Sequence, residues 1–363
     1  MILRLLLVVW MSGWVCSLSA LAQTTKRIHE SFPLHAHGTV TLNGKYGNLH
    51  IESWDSDQVE IDVNMEVEGK DPYHVAYLLD HLEISFDHQA DRLVMQADLP
   101  SIKAWRTSLE GTETVEEIEF AKGGPTVKVS KLDISYHIKV PRNSHLKTDF
   151  KYAHLFLESL DGTSDLRVSF GQIQARNLPE EAYVFLRHAK GMFSQVADAD
   201  IVAAYSDLTV RRAGSINLQS DHSDVRIDNA LNLTSESHYN DMALGSIAKA
   251  SLIEHNSHVE IRELGNTGAF DMMYGDLMVQ QVGAEFSSLK LNGTYSDMEL
   301  TIDQEASYAL DLSAEDSEVR VPNDMKIAQM DDKAGIQSLQ GTVGQGGTAR
   351  VEISSKRGNL VLN

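Results

Sequence analysis

Residues Tyr205–Val210 read Tyr-Ser-Asp-Leu-Thr-Val, and this pattern decides the fold because it recurs along most of the chain. Most copies begin with an aromatic residue or His, continue with a small and then a polar residue, and end in alternating apolar positions. The copies begin at Tyr46, Tyr152, Phe170, Tyr205, His222, Tyr239, Asn256, Tyr274, Tyr295, Asp316 and Arg357, with a degenerate copy at His188. The spacing is 17 to 18 residues from Tyr205 to Tyr274 and lengthens to 21 towards the C-terminus. A period of this length is typical of proteins in which successive units stack.

Each repeat contains two segments with alternating apolar residues, such as Leu231–Thr234 before Tyr239 and Met242–Leu244 after it. Alternation places the apolar side chains on one face of a strand. We therefore predict an all-β fold, a single-stranded right-handed β-solenoid (β-helix) with rungs of 17–21 residues, because parallel crossovers are nearly always right-handed. One interior column is expected to contain Leu208, Val225, Met242 and Val259. The rival interpretation is a β-sandwich, which needs hairpin turns between consecutive strands.

The first part of the chain lacks this period. Asp71–Tyr73 predicts the start of a short helix, because Pro is tolerated at the first helical position. Its apolar face is expected to contain Val75, Leu78, Leu79 and Leu82. Residues 100–130 are less regular and predict a loop or an extended hairpin. We assign residues 23–141 to an N-terminal β-rich cap with one short helix, and residues 142–363 to the β-solenoid repeat domain.

Residues 1–22 have the features of a secretory signal peptide: an early positive charge, an apolar run, and the small residues Ala20 and Ala22 before the expected cleavage. An uncleaved membrane anchor is the alternative. The only cysteine, Cys16, lies in this segment, so we expect a mature chain without disulfides or thiol catalysis. The expected location is the periplasm, the cell surface or the medium, with no transmembrane segment in the mature chain.

The charge balance excludes one class of partner. With 31 Lys and Arg against 52 Asp and Glu, the chain has a formal net charge of −21. A chain this acidic repels the phosphates that dominate nucleic-acid affinity, so no nucleic acid is expected as a partner. The partner itself stays unknown, with an envelope or surface glycan or protein as the expected class.

Two further segments carry a resemblance to a known family. Gly44–Trp54 resembles the opening of the exported candidate-adhesin β-helix domains common in Bacteroidota, which include the auto-transporter adhesin head-like domain of unknown function. Ile134–Pro141 resembles the segment of those domains that ends in Pro, and the Tyr-Gly/Ser-Asp repeats resemble their coil. The resemblance covers nearly all of the mature chain. It implies an envelope or surface protein with an adhesive role, and it supplies no catalytic residues.

One row of carboxylates recurs at the third position of the repeat: Asp207, Asp224, Asp241, Asp276 and Asp297. Stacked rungs would bring neighbouring carboxylates to about 5 Å, which is repulsive unless a cation screens them. The functional interpretation is a cation-binding ladder, since Ca²⁺ takes carboxylate oxygens. The structural interpretation is that Asp and Asn cap a tight turn through side-chain to backbone hydrogen bonds, and it is favoured because His258 interrupts the row.

A column of rings precedes that row: Tyr205, His222, Tyr239, Tyr274 and Tyr295, with Phe170 earlier in the chain. Aromatic faces can stack on sugar rings, so a glycan groove is one interpretation. Mutual stacking that stabilises the coil is the favoured one.

No motif points to catalysis or to a metal. The tight histidine pairs, His35/His37 and His255/His258, lack the helical spacing or the Cys partner of a zinc site. The nucleophile elbow and the phosphate loop are also missing. We therefore predict no catalytic residues, no metal and no cofactor.

The predicted function is a non-enzymatic, exported adhesin-like binding or structural module that presents an extended acidic β-sheet face at the cell envelope. Two alternatives remain open. One is a polysaccharide-active β-helix enzyme, and the other is a periplasmic scaffold or sensor that partners a membrane regulator.

Overall fold

The computed structural model describes residues 22–98, 102–110, 113–120, 123–333 and 335–363. The predicted signal peptide, Ala22 excepted, and Cys16 lie outside these residues. Strands dominate the described chain, and the single helix within it is α1 (Pro72–Asp80). The all-β class is therefore confirmed.

The first strands are β1 (Ala22–Pro33), β2 (Thr39–Trp54), β3 (Gln58–Gly69), β4 (Glu83–Gln89), β5 (Arg92–Asp98), β6 (Ile102–Glu110), β7 (Glu113–Phe120), β8 (Val127–Val129) and β9 (Lys131–Pro141). The middle strands are β10 (His145–Ser159), β11 (Ser164–Ser169), β12 (Gln172–Leu178), β13 (Ala182–Arg187), β14 (Lys190–Ala204), β15 (Asp207–Asp221), β16 (Asp224–His238), β17 (Asp241–His255) and β18 (His258–Met273). The last strands are β19 (Asp276–Val282), β20 (Ser288–Thr294), β21 (Asp297–Ile302), β22 (Tyr308–Glu315), β23 (Glu318–Arg320), β24 (Lys326–Lys333), β25 (Ile336–Val343), β26 (Ala349–Lys356) and β27 (Asn359–Leu362).

The strands β14 to β18 stack in parallel, each on its successor. Asp207 lies opposite Asp224, and Asp224 lies opposite Asp241, so the paired positions are the repeat positions read from the sequence. The four residues of the expected interior column are successive Cα partners and are all buried: Leu208, Val225, Met242 and Val259. Stacking therefore buries apolar faces that no single repeat could bury.

Burial alternates along each strand, with interruptions that mark bends. In β16 two consecutive residues are not buried at Asp228–Asn229 and again at Leu231–Asn232, while pairing with β17 continues on both sides. Consecutive long strands are joined by turns of only two residues, such as Tyr205–Ser206 and His222–Ser223.

The described chain divides into two compact units. One consists of the described residues of Met1–Lys26, Met65–His81 and Pro100–Asp133, and the other holds all the stacked repeats. The first unit contains α1 and the antiparallel strands β6, β7 and β8. Asp71 caps α1 by accepting a hydrogen bond from the Tyr73 N–H at 2.9 Å, and Val75, Leu78 and Leu79 are buried, as the sequence predicts.

In the second unit, pairing begins earlier in the chain than the repeat domain assigned from the sequence. The strand β2 runs parallel to β10, with Leu49 opposite Leu155 and Ile51 opposite Leu157. On its other side β2 pairs with β5 and β9. A strand assigned to the cap thus shares the register of the repeats, while the boundary at residue 141 stays a prediction.

At the C-terminus the order of the strands departs from the order of the repeats. The strand β26 lies between β20 and β22, and β27 lies between β21 and β23. The expectation that each repeat stacks on its sequence neighbour is wrong here. The reason is apolar burial, because the last two strands insert large buried apolar side chains between rungs: Val351, Ile353, Leu360 and Leu362.

Candidate functional site

The rings predicted to form a column do stack, and their backbones are unusual. Tyr205, His222 and Tyr239 have φ values of 51°, 48° and 56°. This left-handed region is uncommon for residues other than Gly and is unfavourable for bulky ones. The ring centroids of Tyr205 and His222 lie 4.9 Å apart, and those of Tyr274 and Tyr295 lie 5.0 Å apart, in stacked geometry.

The stack is longer than the predicted one. We call its rings the aromatic ladder: Tyr46, Tyr152, Phe170, His188, Tyr205, His222 and Tyr239, with Tyr274 and Tyr295 beyond a gap. Asn256 occupies the gap with a φ of 54°. At the far end the Arg357 guanidinium lies over the Tyr295 ring, 5.4 Å from its centroid. The degenerate copy at His188 is thus a full member of the repeat.

Mutual stacking limits what the aromatic ladder can bind. Tyr205 is 51% exposed and Tyr239 is 54% exposed. Inside the stack, however, each ring covers the faces of its neighbours and leaves its edge to solvent. Sugar rings bind aromatic faces, so the geometry favours the structural role of the ladder.

Buried polar residues at the second position of five repeats form a second column, which we call the turn column: Ser206, Ser223, Asn240, Ser257 and Ser296. The Ser206 N–H donates to Ser223 Oγ at 3.1 Å, and the Ser223 N–H donates to Asn240 Oδ1 at 2.9 Å. The Asn240 N–H donates in turn to Ser257 Oγ at 3.2 Å. Each buried backbone donor is therefore satisfied by a side chain one rung away.

The Asp row lies on the exposed side of these turns, at the first residues of β15, β16, β17, β19 and β21: Asp207, Asp224, Asp241, Asp276 and Asp297. Within the described chain only Asp297 among them accepts a backbone hydrogen bond, from Asn359 N–H at 2.7 Å. The capping expected of Asp belongs instead to the turn column. No three carboxylates of the row converge on a point that a cation could occupy, as far as the structure describes the chain.

One carboxyl group, that of Glu254, is buried in the interior of the stacked strands. Glu254 is fully buried and accepts a hydrogen bond from Ser235 Oγ at 2.6 Å. Burial raises the pKa of Glu254 to about 7, and the hydrogen bonds from serine oppose the rise only in part.

The second unit also brings together three side chains that the sequence analysis left apart. We call His50, Glu52 and His137 the imidazole cluster. His50 and His137 are Cα partners on β2 and β9, and Glu52 follows two residues after His50 on the same face of β2. Glu52 Oε1 lies 2.8 Å from His137 Nε2 and 3.1 Å from His50 Nε2. The hydrogen bond from His137 is the main reason that the pKa of the Glu52 carboxyl lies below its usual value.

His50 and His137 of the imidazole cluster line a groove of about 570 Å³. The stacked ring of Phe156, 4.8 Å from His50 between centroids, and the side chain of His154 also line it. His29 and Asp62 also line this groove, and His29 Nδ1 lies 2.7 Å from Asp62 Oδ1. Among the described residues, the imidazole cluster is the one group of His, Cys, Asp or Glu whose ligand atoms all lie within 4.8 Å of one another.

The sequence does contain a signal for this cluster. Leu49–Glu52 and Tyr136–Lys139 both read apolar, His, Ile, charged. Only the pairing of two strands that are distant in sequence, β2 and β9, turns the two copies into neighbours.

The part of the chain that contains most of the repeats matches a known family. The family described as Toastrack DUF4097 matches residues 138–363. The chain belongs to the Toastrack DUF4097 family. The resemblance to exported adhesin-like domains noted from the sequence is thereby confirmed at the level of the family. A comparison of this Toastrack chain with curated proteins finds no match.

Solved structures similar to this Toastrack chain include a candidate adhesin from Bacteroides fragilis, with 8% identity over 93% of this chain and 97% of that chain and a TM-score of 0.27. A candidate adhesin from Parabacteroides distasonis has 10% identity over 91% and 97% of the two chains, with a TM-score of 0.30. A candidate cell adhesion protein from Clostridium sporogenes has 10% identity over 93% and 99%, with a TM-score of 0.18.

In the part of the chain that the structure describes, no helix combines the length and the hydropathy that crossing a bilayer requires.

Proposed function

We propose that this protein is a non-enzymatic binding or structural module at the cell envelope, built as a right-handed β-solenoid with rungs of 17–21 residues. The observation that carries the proposal is the parallel register of β14 to β18, in which equivalent repeat positions pair, with one register shift between Ile247 and Lys249 where β17 meets β18. This register repeats each outward position at every rung, so equivalent side chains form long columns on a continuous surface.

The acidic composition gives this surface its proposed character. Asp207, Asp224 and Asp241 occupy one exposed column, and the whole chain has a formal net charge of −21. An extended acidic face attracts basic surfaces and repels phosphate and sulfate groups. We therefore propose a partner that offers cationic groups over several rungs, with an envelope protein or a glycan bearing amino groups as the class.

The short turns argue against a hydrolase or lyase. Between β14 and β18 consecutive strands are joined by two residues only: Tyr205–Ser206, His222–Ser223, Tyr239–Asn240 and Asn256–Ser257. Turns of this length cannot build the walls that a polysaccharide substrate groove needs. Export by the signal peptide belongs to the same proposal.

Cell-surface binding tests this function. The purified protein is incubated with whole cells and a glycan panel at low and physiological salt, beside a variant in which Asp207, Asp224 and Asp241 are changed to Asn. We expect saturable binding that salt weakens and that the variant loses by tenfold or more. The matched control changes Asp271 and Asp311 to Asn, which removes acidic groups from other strands and leaves binding unchanged.

Two outcomes would overturn the proposal. Release of reducing ends from any glycan would establish an enzyme instead. Equal binding by the variant and the wild-type protein would show that the acidic column takes no part in the interaction. Fractionation with surface protease treatment tests the location separately, and a cytoplasmic protein would contradict export.

A further inference from the structure

We propose that His50, Glu52 and His137 form a binding site for a divalent transition metal of the Zn²⁺ class. This inference does not depend on the proposed function. Two imidazoles and one carboxylate form a donor set that zinc accepts with a further coordination position open.

The separations of the ligand atoms fit such an ion. Zinc binds imidazole nitrogen at about 2.0–2.1 Å and carboxylate oxygen at about 2.0–2.2 Å, which places neighbouring ligand atoms of a tetrahedron about 3.4 Å apart. Glu52 Oε1 lies 2.8 Å from one Nε2 atom and 3.1 Å from the other. All three ligand atoms lie within 4.8 Å of one another, so an ion can replace the two hydrogen bonds once the imidazoles turn towards it. An imidazole that binds zinc through Nε2 carries its remaining proton on Nδ1.

The backbone fixes these ligands before any ion binds. His50 and His137 are opposite each other on paired strands, and Glu52 lies on the same face as His50. Ring stacking against Phe156 holds the His50 imidazole from the side. Preorganised ligands lose little conformational entropy on binding, which favours affinity.

The charged groups around the cluster also permit a cation. Lys139 is the Cα partner of Glu52, and its Nζ pairs with Glu60 Oε1 at 3.0 Å. Across the groove the Asp62 carboxylate pairs with His29. Arg27 also lines the groove. The three carboxylates Glu52, Glu60 and Asp62 therefore outnumber the two permanent cations Arg27 and Lys139, a balance that favours a divalent ion.

The donor types select the metal. Nitrogen ligands suit Zn²⁺, Cu²⁺ and Ni²⁺, whereas Ca²⁺ and Mg²⁺ take six or more oxygen ligands. The cluster is half-exposed, with 42% of the His50 side chain and 45% of the His137 side chain accessible. The remaining coordination position is therefore accessible to solvent, and water or a donor from a partner completes the shell.

Calorimetric titration of the purified protein, without a polyhistidine tag, with Zn²⁺ tests the site. We expect one ion per chain, a loss of affinity of at least tenfold in Glu52→Gln, and a larger loss in the double variant His50→Ala/His137→Ala. Co²⁺ gives a second readout, because its visible absorption bands depend on imidazole ligation and are expected to disappear in His137→Ala.

The fold supplies a matched control. His238 and His255 are also Cα partners with neighbouring rings, 4.9 Å apart between centroids. They lie outside the imidazole cluster, so His255→Ala should keep full Zn²⁺ affinity. A separate titration with Ca²⁺ should show no competition with Zn²⁺.

Each contrary result overturns the site. Absence of stoichiometric Zn²⁺ binding, equal affinity in the double variant, or competition by Ca²⁺ contradicts the proposal. Melting curves in EDTA show whether an alanine variant folds. If one does not, Glu52→Gln decides the question, because it preserves the size of the side chain and removes its charge.

Discussion

The rings of Tyr205 and His222 stack 4.9 Å apart between centroids, although both residues hold their backbones in the left-handed region. The stack and the strained turn therefore occur at the same positions. Favourable ring contacts, worth about 0.5–1.5 kcal/mol per pair, offset a backbone cost of about 1–2 kcal/mol. A bulky aromatic residue in a tight turn is thus stabilised by its equivalents on the neighbouring rungs.

This relationship predicts that Gly is a more stable replacement than Ala at position 205, the reverse of the usual order in a strand. Tyr205→Ala removes stacking on both neighbours and keeps the unfavourable φ, so we expect a loss of about 1–3 kcal/mol in unfolding free energy. Tyr205→Gly removes the same contacts but relieves the backbone, and should be more stable than the Ala variant by about 1 kcal/mol. Urea unfolding midpoints measure the difference.

Thr209 is the control for that experiment. It lies within β15 and has no positive φ, so its Gly variant should be less stable than its Ala variant. If Gly is also the worse residue at position 205, the turn carries no strain and the account of the ladder fails.

The turn column predicts a second cost. Ser223→Ala removes the acceptor of the buried Ser206 N–H, and we expect a loss of about 1–3 kcal/mol because that donor is left unsatisfied. Ser223→Asn should restore most of the stability, since Asn240 fills the same role one rung away. Thermal unfolding provides the measurement.

Exposed Ser251 on β17 is the matched control for the turn column. Its Ala variant should melt close to the wild-type protein. A Ser223→Ala variant that melts as high as the Ser251→Ala variant would show that the column contributes nothing.

How far the sequence specifies this fold depends on the range of the contacts. The Asp207–Asp224–Asp241 register follows directly from a period of 17, because identical neighbours stack on each other. The helix at Pro72–Asp80 follows from a local cap and a local apolar face. Both features depend on short stretches of sequence, so periodicity and capping rules find them.

Contacts between distant segments were not predicted. The insertion of β26 between β20 and β22 depends on which exposed edge the last strands can cover, and no local pattern encodes that choice. The imidazole cluster is of the same kind, since His50 and His137 meet only through the pairing of β2 with β9. The Asp row was found correctly as a repeat position, but its capping role belongs to the preceding residue.

Glu254 predicts a pH dependence. Burial raises its pKa from 4.5 to about 7, so the folded protein binds this proton more tightly than the unfolded chain does. The associated stability is fully present below pH 4.5 and is lost as the pH rises through 7. The Gln side chain does not titrate, so Glu254→Gln keeps its stability as the pH rises. The difference in unfolding free energy between Glu254→Gln and wild type should therefore increase by about 3 kcal/mol in favour of the variant between these two pH values.

Chemical denaturation of both proteins at several pH values between 4 and 8.5, roughly the window of that titration, measures this gain. Glu236→Gln, an exposed change on the neighbouring strand, is the control. A stability difference between Glu254→Gln and wild type that stays constant with pH would mean that Glu254 does not titrate in this range.

The central claim is that successive repeats lie on one another in parallel register. Spin labels at Asp207 and Asp276, or at Asp207 and Asp297, test it most directly in a protein with Cys16 replaced by Ser, because pulsed dipolar spectroscopy then measures distances along the stack. The register places these pairs four and five strand spacings apart, which gives backbone separations of about 19 and 24 Å. Distances near these values that rise by one strand spacing are the predicted result, and distances that do not increase from the first pair to the second would contradict the stacked architecture.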